Sequence, residues 1–154
     1  MPFKRFLFLG TACAFFGGCA ARRPANVGNG AGNLAPCPST PNCVSTMAQD
    51  SVHRMEPITY EGSKEKAMKK LKKVVNSMYN TTIIAETDNY LYVEFNTMVW
   101  RFVDDVEFSF DDNNKLIHFR SASRVGKSDL GVNRNRMTEI KKRFNQKNVP
   151  SYKH

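Results

Sequence analysis

One hairpin constrains the fold more than any other part of the chain. Residues 102–110, FVDDVEFSF, and 116–123, LIHFRSAS, both alternate with a period of two, which is a strand pattern. Between them lies Asp112-Asn113-Asn114-Lys115. Asparagine accepts positive φ more readily than most residues, so Asn113-Asn114 predicts a two-residue type I′ turn. Pairing Asp112 with Lys115 then sets the register. Phe110 meets Ile117, Phe108 meets Phe119, Val106 meets Ser121 and Asp104 meets Ser123 on an apolar face, which Phe102 and Trp100 are expected to continue. Ser109 meets His118, Glu107 meets Arg120, Asp105 meets Ala122 and Val103 meets Arg124 on the other. A slip of one residue would turn every side chain over.

This register separates the acids. Asp104 falls on the apolar face, where a carboxylate must be paired or hydrogen-bonded. Its candidate partners are Ser121, Ser123 and an arginine from the segment that follows. Asp104 and Asp105 point to opposite faces, so a regular strand cannot bring both to one metal. Glu107 opposite Arg120 is a register device worth a few tenths to 1 kcal/mol on an exposed face.

A second hairpin precedes the first. Residues 82–86 and 90–97 alternate around Asp88-Asn89. If Thr87 pairs with Tyr90, Ile84 faces Val93 and Thr82 faces Phe95. A short strand is expected at 57–60, PITY. The segment 64–79 places Ala67, Met68, Leu71, Val74, Val75 and Met78 at helical steps, with Ser63 as N-cap. Its other face carries Lys64, Lys66, Lys69, Lys70, Lys72 and Lys73: a solvated face, or one that touches anionic lipid. A last helix presents Met137, Ile140 and Phe144 and ends before Pro150, capped by Asn133 or Asp129. The order β-α-β-β-β-β-α, with short hairpins and one-sided helices, predicts a single two-layer α+β domain. Its sheet would be mostly antiparallel, with four or five strands and both helices on one face.

The N-terminus reads as a targeting signal. Lys4 and Arg5 precede an apolar run from Phe6 to Phe16, then Gly17-Gly18-Cys19. The uncharged run is short for a membrane-spanning helix. Gly17-Gly18-Cys19 resembles the bacterial lipobox, with Phe16 in place of the usual Leu. The resemblance implies a signal peptide over 1–18 and a lipid on Cys19, and Ala20 after the Cys leans toward the outer membrane rather than the inner. Residues 19–36, rich in Gly, Asn, Ala and Pro, predict a flexible tether. The globular domain is expected over 37–146, with a tail over 147–154.

All four cysteines lie in the first 43 residues. Cys37-x5-Cys43 is wider than the usual zinc spacing and has no second ligand pair nearby. In an exported chain it reads as a disulfide that fixes the loop before the first strand. The net charge of +9 favours an anionic lipid, cell-wall or protein partner. Nucleic acid is not an expected partner outside the cytoplasm.

No catalytic arrangement emerges. Ser121 and Ser123 lie outside any G-x-S-x-G elbow, and Gly126-Lys127-Ser128 lacks the first Gly of a phosphate loop. The remaining charged set is Arg120, Arg124, Lys127, Arg134 and Arg136 with Asp105, Glu107 and Asp129. It allows two readings: an ion-pair network tying the hairpin to the last helix, or an anion pocket at the glycine loop and the positive end of that helix.

Three motifs, CPSTPNCVST, FVDDVEFSF and RSASRVGKSDLGVNRNRM, together resemble the domain of unknown function 1499 family over about residues 35–146. The usual aromatic-Ser after Gly126 is Lys127-Ser128 here. Members of that family are often exported or membrane-attached, and it brings no established activity or cofactor. The expected role is therefore a non-enzymatic binding or structural domain on a membrane tether. The alternative is an enzyme or enzyme accessory that takes an anionic envelope substrate through Arg124, Arg134 and Asp105.

Overall fold

The computed structural model describes residues 22–28, 30, 32–96 and 102–147. Six strands and two helices follow in the order β1 (Cys43–Ser45), β2 (Ile58–Thr59), α1 (Lys64–Asn76), β3 (Thr81–Thr87), β4 (Tyr90–Asn96), β5 (Val103–Asp111), β6 (Leu116–Ser123) and α2 (Val132–Asn145). The sheet is antiparallel in the spatial order β1-β6-β5-β4-β3, and β2 pairs with β6 beside β1. The architecture is the expected α+β one, with one strand more. β1 is the addition. It is only three residues long and carries no alternation that could be read.

The β5–β6 register is the one the turn dictated, from Asp104 opposite Ser123 to Phe110 opposite Ile117. The turn itself differs. Positive φ falls on Lys115 (55°) rather than on Asn113 or Asn114. The ladder closes at Asp111–Leu116, and the Asp111 carboxylate accepts the N–H groups of Asn113 and Asn114 (both 3.1 Å). A four-residue loop centred on the same point preserves the register.

The other hairpin turns where expected, with Thr87 opposite Tyr90, and then shifts. A bulge at Ile84 moves the pairs to Ile83–Val93 and Thr81–Phe95 instead of Ile84–Val93 and Thr82–Phe95. The extra residue puts Ile83 instead of Ile84 on the helix side and leaves Ile84 and Ala85 together on the opposite face. Ile83 packs against the helix-side core and Ile84 against the cluster on the opposite face.

The core lies between the helices and one face of the sheet. Leu91, Val93, Val106, Phe108, Ile117 and Phe119 are fully buried against Leu71, Val74, Val75, Met137 and Ile140. Ser63 caps α1 as expected, its Oγ accepting the Lys66 N–H. Phe102 does not continue this face: it stands 46% exposed. Trp100 lies outside the described residues.

The opposite face is also covered. Residues 22–36, expected as part of a tether, lie across it. Val27 is 4% exposed and packs with Tyr90 and Tyr92, and Gly28 N–H donates to the Tyr90 hydroxyl (3.2 Å). Low hydropathy hid this strap. Its docking depends on a few small residues that approach the sheet closely, not on an apolar period.

Candidate functional site

The strap-side face of the central strands is built from polar side chains. β4 alternates Leu91, Val93 and Phe95 toward the helices with Tyr90, Tyr92 and Glu94 toward the strap. Tyr90 pairs with Ser109, Tyr92 with Glu107 and Glu94 with Asp105. β5 and β6 add Asp105, Glu107 and Arg120 to the same face. All three are buried, Glu107 completely.

The charges there neutralise one another. Arg124 clamps Asp105, with Nε 3.0 Å from each carboxylate oxygen and Nη2 2.7 Å from Oδ1. The same Nη2 donates to Glu94 and to the Tyr92 hydroxyl. Arg23 of the strap also reaches Glu94 (2.9 Å), with its guanidinium 4.9 Å above the Tyr92 ring. Arg120 faces Glu107 at 3.8 Å, and the other Glu107 oxygen accepts from the Tyr90 hydroxyl and from Gly28 N–H. Three carboxylates thus face three guanidiniums.

The electrostatics follow from this enclosure. Burial and then the hydrogen bonds to Glu107 and Asp105 push the Tyr90 and Tyr92 hydroxyls up, so both stay protonated donors. The bonds to Asp105 and Glu94 outweigh burial and push Arg124 up. At Arg120 burial wins over Glu107 and lowers it. Burial opposes ionisation of Glu94, but the bonds from Arg23 and Arg124 hold its carboxyl below the usual carboxylate range. The pairing is incomplete at one point: Glu107 Oε2 and Arg120 Nε are buried with no hydrogen-bond partner among the described residues. The arrangement can hold three strands and the strap in one register.

A second network lies on the helix side, at the end of β6. Asp104 pairs with Arg136, which meets the requirement for a buried acid with an arginine from the segment after the hairpin. Arg136 also donates to Ser121 Oγ (3.1 Å) and Asn133 Oδ1 (2.6 Å). Asn133 is fully buried and ties this end together: its Nδ2 donates to the Asn42 carbonyl (3.1 Å), Ser123 Oγ (3.1 Å) and Asp129 (2.7 Å).

Asp129 occupies the positive end of α2. Its carboxylate accepts the N–H groups of Gly131 (3.0 Å) and Asn133 (2.8 Å). The N-cap itself is Gly131, with φ 81°, and not Asn133 or Asp129. The protein's own carboxylate therefore fills the place at which the sequence allowed an external anion. A cavity of about 130 Å³ opens beside it, lined by Phe102, Asp104, Ser123, Val125, Asp129 and Val132, and so by carboxylates rather than cations.

A family described as a protein of unknown function, DUF1499, matches residues 33–144. The chain belongs to the DUF1499 family. No curated protein and no solved structure matches it.

In this DUF1499 domain the predicted cations do not share one opening. Arg120 and Arg124 lie on the strap side and Arg136 on the helix side. Arg134 donates to the backbone carbonyls of Val52 (2.6 Å) and Arg54 (3.2 Å). Lys127 is exposed. Cys37 and Cys43 form a disulfide with Cα atoms 5.7 Å apart. The loop it closes is held by Asn42, whose Nδ2 donates to the Gly126 carbonyl (2.8 Å). Cys19 lies outside the described residues. On α1, Lys72 pairs with Glu86 (2.7 Å) and Lys70 stands over the Phe144 ring (5.0 Å).

Sequence reasoning missed Arg23, Asn42, Tyr90, Tyr92 and Glu94. The alternation in β4 marked a polar face. Placing that face opposite Asp105 and Glu107 required the register between β4 and β5, which the six-residue connection leaves open.

Proposed function

We propose that this DUF1499 chain is an exported lipoprotein that works by binding or by structural support in the bacterial envelope. Residues 1–18 act as the signal peptide and the Cys19 lipid as the anchor, on the periplasmic face of the outer membrane. The observation that carries this reading is the closure of the charged groups. Most of the acids and arginines that could have served a substrate are engaged with one another, with the strap or with backbone, leaving only Glu107 Oε2 and Arg120 Nε without a hydrogen bond among the described buried groups. The Cys37–Cys43 disulfide supports an oxidising compartment. Seating of the strap from Arg22 onward shortens the leash. Arg23 lies four Cα–Cα steps after Cys19, so the domain stands no more than about 14 Å from its anchor.

The test is metabolic labelling with a palmitate analogue. The wild type takes up label and Cys19→Ser does not; label retained by the variant sinks the anchor. Inorganic phosphate tests the binding-only reading. It is expected to leave the melting temperature unchanged, and a rise that Arg134→Ala abolishes would restore an anion pocket.

A further inference from the structure

Three exposed apolar side chains stand at one end of the sheet. That end is where Asn96 pairs with Val103 and Asp104 with Ser123. Just before β5, Phe102 is 46% exposed. Just beyond β6, Leu130 is 93% exposed and Val132 44%. Phe102 and Val132 line the same small cavity, so these two side chains share one surface.

Scattered exposed apolar residues need no explanation. Leu130 differs because the fold holds it out. Its φ of 53° lies in the left-handed region, which leucine enters at a cost. The surrounding loop fixes that conformation: Ser128 Oγ accepts the Leu130 N–H (3.4 Å), and Asp129 accepts the two N–H groups described above.

The carboxylates that line the cavity at this end are engaged within the fold. Asp104 is neutralised by Arg136, and Glu94 by Arg23 and Arg124. Asp129 is taken up by the α2 backbone. Arg22, next to the pinned Arg23, and Lys127, three residues before Leu130, are exposed. Exposed apolar side chains with exposed cations nearby in the chain are the chemistry of a surface that sits on anionic lipid.

The path of the chain leads to the same place. Arg23 is pinned to Glu94, two residues from the end of β4, so the four residues back to Cys19 start from this end. The opposite turn, 112–115, lies one β5 length away, about 30 Å for nine residues.

We propose that the end of the sheet bearing Phe102, Leu130 and Val132 is seated in the headgroup layer of the membrane that carries the Cys19 lipid. Leu130 enters the acyl boundary, and Lys127 and Arg22 meet anionic headgroups. The inference rests on the lipoprotein reading. It adds an orientation: the domain stands on that end, with the 112–115 turn pointing away.

The test uses the full chain purified from membranes and reconstituted into phosphatidylethanolamine–phosphatidylglycerol vesicles. An environment-sensitive nitrobenzoxadiazole dye is attached at Leu130→Cys or, as control, at Asn113→Cys. Spin-labelled lipid should quench the dye at position 130 roughly twofold or more and leave the dye at 113 unaffected. Equal quenching at both positions overturns the orientation. A dye at 130 that is shielded from water yet not quenched overturns it in favour of a protein partner. Intact mass of the same sample separates the two ideas. An acylated protein with an unquenched dye sinks only the seating, whereas a protein without acyl chains sinks the anchor and the seating with it.

Discussion

Replacing Arg124 by Met tests whether the strap-side face is a closed structural network. The Arg124 side chain is 7% exposed, Asp105 2% and Glu94 16%, so water screens this group little. The change leaves Glu94 with Arg23 but leaves Asp105 with only the Tyr92 hydroxyl among its described partners. Breaking a buried pair from one side costs about 3–5 kcal/mol, because the remaining charge is stranded. For a domain of this size that is a fall in melting temperature of roughly 10–20 °C. The double variant Arg124→Met, Asp105→Leu removes the stranded charge and should recover much of the loss. Thermal melts followed by circular dichroism read all of these. A single variant that melts within about 3 °C of wild type would refute the reasoning. So would a double variant that loses more than the single, since the two groups would then not be coupled.

Two further outcomes follow from the strap and from Glu94. A Cβ on Gly28 would lie 2.7 and 2.9 Å from atoms of the Tyr92 ring, at a φ of 75°. Gly28→Ala should cost about 1–3 kcal/mol and speed amide exchange over 22–36 while leaving α1 and α2 protected. Gly62→Ala, with similar φ (77°) but nothing within 4 Å of its Cβ, is the control for backbone strain alone. Glu94 has its folded-state carboxyl held below the ordinary 4.5, so its contribution is present above that value and is lost as pH falls through the lower folded value. The melting-temperature gap between wild type and Glu94→Gln should be widest near neutrality and close in acid; a gap that does not change with pH would count against the ion-pair account.

The parts of the fold that were legible are those fixed by local rules. A tight turn and strict alternation set the β5–β6 register over all eight ladder pairs, even though the turn type was misread. Helical spacing found both apolar stripes, and Ser63 marked the start of α1. Features set by tertiary contact were not legible. The Ile84 bulge satisfies two faces at once, and no local signal distinguishes Ile83 from Ile84. The strap docks through Val27 and the backbone of Gly28, which read as linker until Tyr90 and Glu107 are placed beneath them. At the candidate site, the register divided Asp104 from Asp105, and an arginine was one of three candidate partners for Asp104 beside Ser121 and Ser123; the structure pairs it with Arg136. The register did not show that Glu107 would be sealed inside, because nothing local said that the second sheet face was covered.

The strap also imposes an order of events. It is the first part of the described chain to be synthesised, yet its bonds reach 62 and 79 residues ahead, to Tyr90 and Glu107. Contacts of that separation form only after the strands carrying them have emerged and paired. Cys37 and Cys43, six residues apart, can meet at once. The strap therefore stays undocked until β4 and β5 are in place, and closes afterwards. The segment that ends nearest the chain's beginning is thus the last to be finished.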